Sequence, residues 1–128
     1  MTQILLLEAF FVGLYCLALY TILSKIIFDY YTWFILGFTK HFAGYILGVH
    51  DYFCVYGNAC RNKNKRYADS TYLIFDSMCE GILFLIIASL WMPLFTNKQI
   101  GIFLAGFFIH LLMEFLFVHT YFCNHRCS

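Results

Sequence analysis

The chain has 128 residues, 62% hydrophobic and 12% charged, with 22% aromatic residues, one Pro and a net charge of +1. Soluble domains carry roughly 45–50% apolar and about 25% charged residues, and the mean hydropathy here is +0.76. Composition therefore excludes a water-soluble globular fold and a disordered chain, and the small net charge excludes a global field that would draw in nucleic acid.

In chain order, the opening MTQILLLEAFF lacks a basic leader and a small-residue cleavage site, so it reads as an uncleaved first span. Residues 4–24 are apolar apart from Glu8, close to the ~20 residues needed to cross about 30 Å of hydrocarbon. Lys25 and Asp29 end that span, and Tyr30, Tyr31 and Trp33 follow as an interfacial aromatic group. The second span, 33–49, is short and carries Lys40 and His41 near its middle. A re-entrant or tilted helix is an alternative there. Gly37, Gly44 and Gly48 share one helical face, which favours a packed span, because small residues let helix backbones approach closely in lipid.

Residues 57–70, GNACRNKNKRYADS, form the only long run that prefers water, and hold Arg61, Lys63, Lys65 and Arg66. The third span covers 72–95, with Asp76 and Glu80 in its first half and Pro93 in its last turn, where a lost hydrogen bond matters little. After a tight polar turn at 96–99, the fourth span covers 100–122 and contains His110, Glu114 and His119. No internal repeat or low-complexity tract is evident, although the layout of two hairpins is itself pseudo-symmetric. The expected fold is thus an all-α integral membrane protein, one domain over 1–128, with four transmembrane helices in two hairpins joined by a short basic loop. An even number of crossings puts both termini and the loop on one side. That side holds Arg61, Lys63, Lys65, Arg66 and Arg126, against Lys25 and Lys98 on the other, so it reads as cytoplasmic.

Three groups could carry chemistry. Glu8, Lys40, His41, Asp76, Glu80, His110 and Glu114 all fall at mid-membrane or in the half nearest the loop. A charge at the bilayer centre costs at least about 2.5–3.5 kcal/mol, so these residues should face one another. They could form a cation, proton or metal site, or simply neutralise one another and fix the packing; the pairs at i, i+4 match a di-metal Glu-x-x-His bundle poorly. Cys54, Cys60, Cys123 and Cys127 gather at the loop-side membrane edge, whereas Cys16 and Cys79 lie within spans as small apolar packers. The four edge thiols allow disulfides tying the loop to the tail, free thiols, or zinc assisted by His119 or His125. No Cys-x-x-Cys pair is present, which argues against a quinone-coupled thiol oxidoreductase. The four loop cations could meet anionic lipid, meet an acidic protein, or only set topology. The loop is too small for nucleic-acid binding.

The segment FLAGFFIHLLMEF, followed by Tyr121, Phe122 and Cys123, resembles the end of small multi-span membrane proteins encoded by nucleocytoplasmic large DNA viruses. There a final span with an internal His or Glu runs into an aromatic stretch and a Cys. The resemblance implies a virion protein of the inner membrane beneath the capsid. It also implies disulfides on the cytosolic face, since such viruses carry a thiol oxidase. No catalytic residue transfers. The function expected is a structural, non-enzymatic component of a membrane assembly, without cofactor or metal. Its partners would be the lipid bilayer and other membrane or capsid proteins, met through span faces and the basic loop. A small transporter, channel or membrane enzyme using the intramembrane carboxylates and histidines is the rival, and an accessory subunit of a membrane complex the third alternative.

Overall fold

Backbone groups in hydrocarbon must satisfy their hydrogen bonds within the segment, and an apolar chain with one Pro does so as helix. The computed structural model describes residues 3–26 and 31–128; Asp29 and Tyr30, expected at the membrane interface, lie outside the described residues. The helices are α1 (Gln3–Leu23), α2 (Thr32–Ile46), α3 (Val49–Tyr56), α4 (Leu73–Trp91), α5 (Lys98–Phe115) and α6 (Val118–Arg126). Short 3₁₀ turns follow α3 (Asn58–Cys60) and α4 (Met92–Leu94). Among the described residues there is no strand, only an isolated antiparallel bridge between Ala68 and Cys127.

Three helical segments, Gln3–Leu23, Leu73–Leu94 and Lys98–Phe115, are long and apolar enough to cross a membrane. The expected second span is shorter than that: α2 has 15 residues and stops at a left-handed Gly48, φ 80°, which re-aims the chain into α3. The expected fourth span is interrupted in the same way. Phe117 takes φ 61° and separates α5 from α6, so 100–122 is a membrane-length helix followed by a second, short helix rather than one continuous rod. Asn97 starts α5 by accepting the N–H groups of Gln99 and Ile100 at 3.0 and 3.3 Å, which satisfies two of the orphan donors of a helix start.

The matching breaks expose an internal repeat, correcting the expectation that none is present. GFTKHFAGYILGVHDYFC (37–54) aligns without a gap on GFFIHLLMEFLFVHTYFC (106–123). Gly37, Phe38, His41, Leu47, Val49, His50, Tyr52, Phe53 and Cys54 have identical counterparts in Gly106, Phe107, His110, Leu116, Val118, His119, Tyr121, Phe122 and Cys123. The left-handed residues Gly48 and Phe117 occupy equivalent positions. The signal was missed because the flanking spans share only apolar character, which any two membrane helices share.

The repeats do not pack as two separate hairpins. Helix α1 packs mainly on α5 and α4 mainly on α2, so the helix that precedes each repeat lies against the first helix of the other repeat. Both pairs run antiparallel: Leu5 meets Leu111 while Cys16 meets Gly106, and Lys40 meets Glu80 while Gly37 meets Phe84. Glycine permits both close crossings. A Cβ on Gly37 would sit 2.5 Å from the Glu80 carbonyl oxygen, and one on Gly106 would sit 2.9 Å from Cys16 Sγ. Of the other glycines expected on that face, Gly44 makes room for His50 rather than for a helix. The core between the pairs is built from Cys16, Leu36, Phe84, Ile102, Ala105 and Ile109.

Candidate functional site

The expected intramembrane cluster resolves into three satisfied groups. In the first, Lys40 of α2 bonds Glu80 of α4, and His41 Nδ1 donates to the other Glu80 oxygen at 2.8 Å. The Lys40 carbonyl accepts the Tyr15 hydroxyl at 3.2 Å, linking α1 to this pair. In the second, Glu8 of α1 accepts the Asn58 N–H at 2.6 Å and faces His110 Nε2 of α5 at 3.3 Å. Asn58 continues through Nδ2 to Glu114 at 2.8 Å, and His119 Nδ1 donates to the other Glu114 oxygen at 2.7 Å. Glu80 and Glu114 therefore belong to different groups, with Lys40 on the former and His119 on the latter.

The third group joins α4 to the tail. Arg126 grips Asp76 with two bonds, Nε at 2.7 Å and Nη2 at 3.1 Å, the bidentate geometry that suits guanidinium to carboxylate. Its guanidinium also lies 4.4 Å above the Tyr72 ring. The Asp76 hydrogen bonds hold Arg126 protonated beyond its already high range. Sequence reasoning placed Asp76 with the other buried charges but did not find this partner, because a tail residue carries no depth signal. Asn58 was missed for the same reason: a loop amide reveals nothing until the fold inserts it between two carboxylates.

The repeat relates the first two groups. His41–Glu80 and His110–Glu8 each join the first helix of one repeat to the helix that precedes the other. Each of these histidines stacks near the second histidine of its own motif, His41 with His50 at 4.5 Å and His110 with His119 at 4.3 Å between ring centres. Phe53 and Phe122, themselves equivalent, lie between the two histidine pairs at 5.8 Å from each other. These six rings line one cavity of about 340 Å³. His50 has no hydrogen-bond partner among the described residues. Burial first, and neighbouring His41 second, depress its pKa to about 3, so it is neutral. The repeated His-x8-His spacing is the sequence signal that would have singled it out.

Beyond Phe53 and Phe122 sit the cysteines. Cys54 pairs with Cys127 and Cys60 with Cys123 at disulfide distance, with Cα separations of 5.7 and 5.4 Å. Both links run between the repeats, and Cys54 and Cys123 are equivalent residues. They tie the central loop to the tail, as expected of the disulfide alternative. Cys16 is buried, but Cys79 is exposed on α4 rather than packed inside. The loop also holds the tail through backbone bonds: the Ser128 carbonyl accepts the Arg66 and Tyr67 N–H groups at 2.8 and 3.2 Å, and Ser128 N–H returns one to Tyr67 at 2.9 Å. Of the loop cations Arg61, Lys63, Lys65 and Arg66, none pairs with a carboxylate among the described residues; Lys63 donates to Asn124 at 3.1 Å. Cys60, Cys123 and Cys127 bring their sulfurs within 4.8 Å of one another, and no other trio of Cys, His, Asp or Glu ligand atoms does so among the described residues.

The helical fold and its three helices long and apolar enough to cross a membrane are consistent with an integral membrane protein of the multi-helix class. No family model matches the chain, and neither a curated protein nor a solved structure matches it.

Proposed function

We propose that the chain is a structural, non-enzymatic membrane protein of a larger assembly, crossing the bilayer four times with α2 as the short fourth crossing. The observation that supports this is the pairing of every ionisable group inside the spans: Glu8, Lys40, His41, Asp76, Glu80, His110 and Glu114 each have a protein partner. Among the described residues, Ser77 Oγ is the one fully buried side-chain nitrogen or oxygen without a hydrogen bond, the His50 ring being only partly buried. A transport path needs charges that can exchange partners with water or substrate, whereas these bind helix to helix. The antiparallel register of α2 on α4, anchored by Lys40 and Glu80, supports α2 as a crossing despite its length. The resemblance of the last span and tail to virion inner-membrane proteins extends the proposal to a particle membrane, with capsid or membrane proteins as neighbours.

The test is purification from native membranes or particles with a mild detergent. A fixed stoichiometry with one or more membrane or capsid proteins is the expected outcome. Purified protein in liposomes that carries a proton or cation flux abolished by Glu80→Gln, with folding intact, would overturn the proposal in favour of a transporter.

A further inference from the structure

We infer that the sulfurs of Cys54, Cys60, Cys123 and Cys127, when reduced, form a tetrathiolate site for a zinc ion that joins the two repeats. Three of them already lie within 4.8 Å of one another, and Cys60 Sγ is 3.9 Å from Cys127 Sγ although these two are not bonded. Zinc–sulfur bonds of about 2.3 Å at tetrahedral angles put neighbouring sulfurs about 3.8 Å apart. The fourth sulfur, that of Cys54, is one bond from Cys127. Releasing the two disulfides therefore leaves four thiols whose backbones need little movement to surround an ion.

Three further observations point the same way. The cysteines are buried, at 0% for Cys54 and Cys123, 1% for Cys60 and 6% for Cys127, with Phe53, Phe122 and Ala68 packed against them. This enclosure suits a structural zinc with no open position. The ligands come two from each repeat, carried on α3, the turn after it, α6 and the residue that closes α6, so the ion would hold together the same elements as the disulfides. Four thiolates around Zn²⁺ leave a charge of −2, and the segment that leaves Cys60 and returns to bridge Cys127 carries Arg61, Lys63, Lys65 and Arg66 without carboxylate partners. The basic loop thus acquires a counter-charge that the oxidised cluster does not offer it.

The positive-inside bias puts this face in the cytosol, where thiols are kept reduced. A glutathione-type thiol supplies the electrons. Two such thiols reduce each protein disulfide to two cysteine thiols and leave as one oxidised disulfide. Four cysteine thiols then release four protons to water as Zn²⁺ binds. Oxidation by a disulfide, such as that of a thiol oxidase, runs the other way: each cysteine pair gives two electrons to one donor disulfide, which takes up two protons to become two thiols, and the two protein sulfur–sulfur bonds form as the ion leaves. The inference does not depend on the scaffold reading, since a transporter would need the same clamp.

The experiment uses the full chain in detergent, reduced anaerobically with a phosphine, desalted, and titrated with Co²⁺ and then Zn²⁺. Expected are one cobalt per chain with a thiolate-to-cobalt charge-transfer band, its loss on adding zinc, its absence from the oxidised protein, and its retention in Cys16→Ser but not Cys60→Ser. Far-ultraviolet circular dichroism accompanies each step. Reduced protein that loses helix and regains it with metal also supports the site, because binding is then coupled to folding. Reduced wild type that keeps its helix and binds no metal overturns the inference, as does a band that survives Cys60→Ser, or a loss of helix that metal does not reverse.

Discussion

At the scale of single residues, charges define the interior. Lys40 and Glu80 have side chains only 17% exposed each, and removing one partner leaves the other buried and uncompensated, at a cost of about 3–5 kcal/mol. Glu80→Leu and Lys40→Met are each expected to lower the thermal midpoint in detergent, while the double variant recovers most of the loss because an apolar pair suits the helix interior. A double variant as unstable as the sum of the singles would contradict that pairing. His50 gives a pH dependence of definite sign. Its pKa is about 3 in the fold against about 6.5 when exposed, so the unfolded chain binds the extra proton in between. Stability is complete above about pH 6.5 and declines as pH falls toward 3. Burial lowers this pKa most, His41 and Lys40 lower it further, and Glu80 and Asp51 oppose them. Melting curves at pH 7 and pH 5 should differ more for wild type than for His50→Gln; equal differences would show that His50 does not titrate this way. That these residues meet one another was legible in the sequence, because an unpaired charge is costly in hydrocarbon. Their pairing was not, since seven residues of similar depth allow many matches and only the register of α1 on α5 and of α2 on α4 selects among them.

At the scale of elements, two left-handed residues set the geometry. Gly48 adopts φ 80° freely, with nothing within 4 Å of where a Cβ would stand. Gly48→Ala therefore meets no clash, yet it should cost about 1 kcal/mol in backbone strain alone, read as a lowered melting midpoint with unchanged helix content. Gly37→Leu acts differently. Its Cβ alone would press 2.5 Å from the Glu80 carbonyl oxygen, so it should separate α2 from α4, expose Glu80 and lose far more stability than Gly48→Ala. Comparable losses would mean that the crossing is looser than its register indicates. The hydropathy pattern made the apolar helices legible, but not where two of them stop. Nothing in the composition of 100–122 distinguishes a break at Phe117 from continuous helix, and only comparison with its counterpart Gly48 reveals it.

At the scale of the whole molecule, the chain holds two copies of one helix–hinge–helix unit, the first helix of each packed against the helix that precedes the other. Four crossings require both termini on one face, so tags at Met1 and Ser128 should be labelled from the same side in sealed vesicles. Labelling from opposite sides would leave α2 re-entrant and three crossings. Composition made the all-helical, membrane-length character of the chain legible. The exchange of partners was not, because hairpin packing of neighbours in sequence and exchange between repeats use the same apolar faces. The difference lies in which glycine meets which helix: Gly37 approaches Gly81, and Gly106 approaches Gly13.

The reciprocal links also set an order of events during biosynthesis. Cys54 and Cys60 leave the ribosome well before Cys123 and Cys127, so neither can reach its native partner while the second repeat is still being translated. For the same reason α1 is made before α5 exists to cover Glu8, and α2 before α4 exists to neutralise Lys40. The half-made protein therefore presents two unmatched charges and two orphan thiols to whatever machinery inserts it. Pausing translation between the repeats should lengthen the exposure of Cys54 and Cys60 to alkylating reagents, whereas release of the chain from the ribosome should end it.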